Sequence, residues 1–206
     1  MDIRAGSIVM VLLLLPPPAA AAEPATLPAD IMIRVHDAEG LPPGDLQRAL
    51  DTAADVVSEL SITAMWRVCS LSSAEPPALG EWSCRAPLAP RELVVRIVHA
   101  RVDARHEAFL TLGNAMVDAR DGSGVLATIY ADRVRWMARE AGVDPWTLLG
   151  RALAHELGHL LMATTTHAPA GLMRATWLRE ELRRDDPEDW SFASSDAIAI
   201  RGHTSE

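Results

Sequence analysis

The stretch DPWTLLGRALAHELGHLLM, residues 144–162, leaves the chain the fewest choices. Asp144 is a good N-cap and Pro145 suits the first helical position, so a helix is expected to run to about Met162. At about 100° per residue, His155 and His159 fall within roughly 40° of one another. Leu148 and Ala152 continue that face, whereas Leu149, Leu153, Leu157 and Leu160 lie opposite. A helix of this kind is anchored on a sheet by leucine and turns two imidazoles towards a cleft.

The N-terminus reads differently. Arg4 precedes the apolar run Ile8 to Leu15, and Pro16 to Ala22 supplies small residues for a peptidase, the pattern of a secretory signal peptide over residues 1–22. The run is far shorter than the roughly 20 residues a spanning helix needs, so an uncleaved N-terminal anchor is the lesser alternative. Residues 23–206 then form one domain, exported to the periplasm or the extracellular space, with no stable membrane association after cleavage. The formal net charge of −9 argues against nucleic acid and anionic membrane surfaces as partners. Two cysteines occur, Cys69 and Cys84, and an even count in an exported chain predicts a disulfide. The alternative is an inhibitory thiolate on a metal, which would leave one cysteine unpaired outside the reducing cytosol.

Along the chain, Ile31 to Val35 alternates as a first strand. Leu46, Ala49, Leu50, Ala53, Val57 and Leu60 recur at helical spacing from about Asp45 to Leu60. Strands follow at Ile62 to Val68 and, after an irregular proline-rich connection over 70–91, at the strongly apolar Leu93 to Val98. Two shorter strands, Asn114 to Asp118 and Val125 to Ala131, flank the turn Arg120 to Gly124. Asp132 is expected to cap a helix that buries Val134, Met137, Ala138 and Ala141 and ends at Gly142. The order β-α-β-β-β-β-α-α predicts an α/β fold, with helices on a sheet and a poorly regular C-terminal third.

His155-Glu156-x-x-His159 on such a helix is the pattern of a zinc hydrolase, the histidines binding and Glu156 working on a metal-bound water. Zinc with three protein ligands keeps a fourth position for water and lowers its pKa to about 7, and a nearby carboxylate moves the proton to a leaving amine. The third ligand is less direct. His167 comes eight residues after His159, and a downstream Glu-x-x-x-Asp pattern, Glu181 to Asp185, also offers Glu180 or Glu181.

These residues resemble the metzincin clan of zinc endopeptidases, which carry HExxHxxGxxH followed by a methionine turn. His155, Glu156 and His159 match, while Met162 stands at the glycine and Thr165 where the third histidine belongs. His167 lies two residues further on, and Gly171-Leu172-Met173 looks like the matrixin methionine turn at the matrixin interval from the first histidine. The resemblance implies a zincin-like mixed sheet with a backing helix, an active-site helix and a small irregular C-terminal subdomain. It also implies that Leu112 to Met116 forms the substrate-binding edge strand, next to the strand ending at Asp132. His155, His159 and His167 would hold one catalytic zinc ion above Met173, reached through a wider turn at Ala163 to Thr166. No tyrosine follows the turn; Trp177 occupies its neighbourhood. The expected function is an exported zinc metalloendopeptidase acting on peptide or protein substrates. The alternatives are a gluzincin-type peptidase with Glu180 or Glu181 as third ligand, and a non-catalytic metal-binding envelope protein.

Overall fold

The computed structural model describes residues 29–69, 84–100, 111–118, 120 and 123–204. The expected signal segment, residues 70–83 of the proline-rich connection and residues 121–122 of the expected turn lie outside them. Among the described residues, no helix is long and apolar enough to cross a membrane.

Alternation in Ala29–Asp37 (β1) sends Ile31, Ile33 and Val35 to one face, where all three are buried. The same face is continued by Leu93, Val95 and Ile97 of Glu92–Val98 (β3) and by Ala127 and Ile129, at the registers Ile33↔Leu93, Val35↔Val95 and Val95↔Ala127. With Ile62–Cys69 (β2), Gly113–Asp118 (β4) and Ser123–Tyr130 (β5), these strands make one sheet in the order β2-β1-β3-β5-β4. All neighbours are parallel except β4, which pairs antiparallel with β5 and forms one edge. The mixed α/β fold read from the sequence is therefore the fold of the chain.

Two helices join this apolar face in a single core. Pro43–Ser58 (α1) buries Leu46, Ala49, Leu50, Ala53, Val56 and Val57, the expected stripe, and Pro145–Leu161 (α3) packs beside it. The opposite face of the sheet carries a buried ion pair, Arg34 with Glu92, and Arg34 also donates to the carbonyls of Ala86 (2.6 Å) and Pro87 (3.1 Å). The two carbonyl bonds pin the end of the proline-rich connection to the sheet, and the Arg34 guanidinium, donating to Glu92 at 2.7 Å, holds that carboxyl below the usual carboxylate range.

Cys69 and Cys84 are joined, with Cα atoms 5.8 Å apart, so neither sulfur is a free thiolate. Replacing both by serine is expected to cost about 2–4 kcal/mol of stability, seen as a lower denaturant midpoint. Alkylation of both cysteines in unreduced protein, found by mass spectrometry, would contradict the bond.

Three expectations change. Ala131–Ala141 (α2) starts one residue before Asp132, with Tyr130 at the N-cap, because the Asp132 carboxylate instead accepts the Ala100 N–H at 2.8 Å. Leu148 sits in the core rather than on the cleft face of α3, since neighbouring elements cover the N-terminal half of that helix from several sides. The C-terminal third is more regular than expected, with Arg179–Arg184 (α4), a 3-10 turn at Pro187–Trp190 and Ser194–Thr204 (α5).

Candidate active site

Asp144 caps α3 as its sequence position predicts, accepting from the Thr147 N–H (2.7 Å) and hydroxyl (2.9 Å). Eleven residues later the helix presents His155, then Glu156 and His159, all buried. Each imidazole is oriented by a backbone carbonyl: His155 Nδ1 donates to Leu172 O (2.8 Å) and His159 Nδ1 to Thr164 O (2.9 Å). A carbonyl oxygen only accepts, so both Nδ1 atoms carry the proton and both Nε2 atoms present lone pairs. Those Nε2 atoms are 3.1 Å apart. Two facing lone pairs repel unless a cation lies between them, and zinc at about 2.1 Å from each nitrogen gives tetrahedral edges of roughly that size.

His167 completes the group. Its ring lies 5.3 Å from that of His155 and 4.8 Å from that of His159, and one ligand atom from each of the three lies within 4.8 Å of the others. Among the described residues this is the sole cluster of three or more histidine, cysteine or carboxylate side chains suited to a metal. Glu181 is directed elsewhere, accepting the Leu178 N–H at 2.8 Å and lying 3.4 Å from Arg174. Glu180 is exposed on the rim of the cleft.

The excursion between His159 and Met173 is shaped by two left-handed residues. Ala163, at φ 49°, ends α3 one residue after the position of the metzincin glycine, and the chain leaves with Thr164 N donating to His159 O (3.1 Å). Gly171, at φ 74°, returns it; a Cβ there would lie 2.8 Å from Ser191 O, the same carbonyl that accepts the Leu172 N–H. Leu172 O is thus aimed at His155, and it also accepts from Trp177 Nε1 at 3.3 Å. Met173 is fully buried under α3, where a Cβ on Gly158 would come within 2.6 Å of its sulfur. Sequence reasoning placed Met173 but missed Gly158, although a glycine inside a helix of good helix formers is a signal of close packing.

Gly113 was missed as well. A Cβ there would sit 2.8 Å from both Cγ and Oε1 of Glu156, so the edge strand makes room for this carboxyl by having no side chain. Burial pushes the Glu156 pKa up to about 8, against the hydrogen bond from the Ala115 backbone N–H that lowers it. Burial likewise pushes His155 down to about 4, against its bond to Leu172 and with help from the two neighbouring histidines, and it lowers His159. Both imidazoles are therefore neutral at pH 7, the form that binds a metal.

A pH dependence follows for the metal-free protein. Glu156 keeps its proton in the folded state up to about 8 but loses it near 4.5 when unfolded, so its contribution is complete below 4.5 and is lost as pH rises through 8. His155 acts oppositely, its contribution present above 6.5 and lost as pH falls through about 4. Between about 6.5 and 8 the glutamate dominates. The melting temperature of chelator-treated protein is expected to fall across that window; a flat or rising profile would mean that Glu156 is ionised in the folded chain.

The site opens into a cleft of about 770 Å³. One wall is residues 111–115, leading into β4, the floor is α3, and the other wall is the segment 174–180.

No protein-family model matches the chain, and no curated protein matches it. Solved structures do. Archaemetzincin from Methanopyrus kandleri superposes with a TM-score of 0.56 at 16% identity, over 86% of this chain and 97% of that one. A zinc-dependent peptidase from Methanocorpusculum labreanum gives 0.52 at 14% identity, over 82% and 99%. Metalloproteinase-II from Bacteroides fragilis gives 0.52 at 16%, over 87% of this chain and 54% of its own length. The chain shares the fold of these proteins.

Proposed function

We propose that this chain is an exported zinc metallopeptidase that cleaves peptide bonds within protein or peptide chains. The observation that carries this reading is the convergence of three imidazoles beside a buried carboxyl under the edge strand of the sheet. His155, His159 and His167 would hold one zinc ion, a donor set that suits it in number and type. When bound, zinc supplies Lewis acidity, polarising the scissile carbonyl and acidifying water.

Glu156 takes the proton of the attacking water and passes it to the leaving amine. Its raised pKa belongs to the metal-free pocket; a cation alongside favours the carboxylate and so the basic form. The substrate is held by backbone. Tyr130 N donates to Leu112 O (2.9 Å) and Asn114 pairs with Thr128, so even-numbered residues of this edge bond inward to β5. Gly113 therefore turns its N–H and carbonyl outward and Ala115 its carbonyl, the Ala115 N–H being held by Glu156, and an extended peptide can add there as a further strand. A peptide held in this way is gripped by its backbone rather than by a chain terminus, which suits an endopeptidase.

Export is supported by the disulfide, which persists in oxidising compartments. The non-catalytic reading, a metal-binding envelope protein, has no use for Glu156, whose burial costs free energy that a structural site need not spend. The test is hydrolysis of an unfolded generic protein, expected to stop on chelation and to return with zinc. Stoichiometric zinc binding without any cleavage would favour the non-catalytic reading.

A further inference from the structure

The edge strand β4 is poorly held by its own residues. Its regular ladder covers Gly113 to Met116, and the register shifts between Met116 and Val117. At the start of that ladder stands a glycine with no room for a side chain, since a Cβ there would lie 2.8 Å from Glu156 Oε1 and 2.9 Å from Ile129 Cδ1. A glycine inside a strand loosens it. Yet this is the stretch whose Ala115 N–H meets the Glu156 carboxyl.

Two residues outside the cleft fasten it. Tyr130 donates its N–H to Leu112 O (2.9 Å) and its hydroxyl to Asn114 Oδ1 (3.1 Å). Arg133, in the first turn of α2, donates from Nη1 to Thr111 O (2.9 Å) and lies 4.2 Å over the Tyr130 ring. A free arginine turns all its donors to water, whereas the Arg133 Nε is buried and finds no acceptor among the described residues. The ring and the Thr111 carbonyl hold it there against that cost.

We infer that Arg133 and Tyr130 are positioning residues that fix the start of β4, and with it the outward backbone groups of Gly113 and Ala115. The inference rests on the peptidase reading above, in which that edge receives the substrate. Neither side chain lines the cleft, so each acts through the strand. With the clamp in place the edge is ordered before a peptide arrives. Without it, ordering is taken from the binding free energy, which raises KM and leaves kcat.

The experiment uses the full zinc-loaded chain and quenched fluorescent peptides long enough to lie along β4. Arg133→Ala should raise KM about tenfold with kcat held within about twofold. Tyr130→Phe keeps the ring and removes one hydrogen bond, and should raise KM about threefold. Arg133→Lys returns a cation and a donor and should recover most of the loss. Zinc affinity and inhibition by acetohydroxamate, which is too small to lie along the edge, should match the wild type in all three. Without turnover, Arg133→Ala should speed hydrogen exchange in residues 111–116 and, combined with Glu156→Gln, weaken binding of the labelled peptides about tenfold. Unchanged KM in both Arg133→Ala and Tyr130→Phe overturns the positioning role and leaves the peptidase reading standing, as does a rise matched by equal weakening of acetohydroxamate. A zinc-loaded wild type that neither cuts nor binds any peptide removes the peptidase reading, and this role with it.

Discussion

Glu156→Ala is expected to lose hydrolysis by at least about 10²–10⁴-fold, the contribution of a positioned general base, while binding zinc as tightly as the wild type. The separation follows from geometry. The three nitrogens close enough together to share one ion come from His155, His159 and His167. The Glu156 carboxyl instead lies against the place where a Gly113 Cβ would be and accepts the Ala115 amide. Glu156→Gln keeps the shape and the hydrogen bond to Ala115 but cannot take a proton, so it should be as inactive as the alanine variant and no less stable than the wild type. Paired kcat and zinc-titration measurements on both variants decide the matter. Loss of zinc in step with activity would make Glu156 a ligand, and retained activity in Glu156→Gln would remove it from proton transfer.

His167→Ala should weaken zinc binding by more than about 100-fold, beyond what is lost when a group merely supporting a ligand is changed. Glu180→Ala and Glu181→Ala should leave it nearly intact, because Glu181 is engaged with Leu178 and Arg174 and Glu180 stands on the exposed rim. His167 is itself exposed, unlike His155 and His159. Its removal should therefore leave the melting temperature of the metal-free chain within the range of ordinary surface changes. Normal zinc binding by His167→Ala together with a defect in either glutamate variant would replace this ligand set with the glutamate one.

Much of this was legible in the chain because it is local. The alternation of Ile31, Ile33 and Val35, the stripe from Leu46 to Val57 and the Asp144 cap each state a period or a terminus within a few residues, and periodicity alone settles which side chains share a face. The same holds for His155 and His159 on one turn of helix, and for Cys69 and Cys84 across a short loop. His167 and Met173 could be named from spacing, but only by resemblance to a metzincin pattern that the sequence does not match in full.

What tertiary structure decided are contacts between parts far apart along the chain. Asp132 reads as a cap locally, yet it serves the amide of Ala100, 32 positions away. The resemblance proposed an edge strand, and the sheet order put β4 beside β5 at the open side of the cleft. That pairing alone brings Gly113 against Glu156, 43 residues later by their numbering, where the missing side chain becomes room for a carboxyl. The orientation of His155 likewise rests on a carbonyl, Leu172 O, and every residue carries a carbonyl whatever its side chain. Side-chain identity and period are written in the sequence. Which backbone group meets which side chain depends on the path of the chain, and only the assembled sheet and helices supply it.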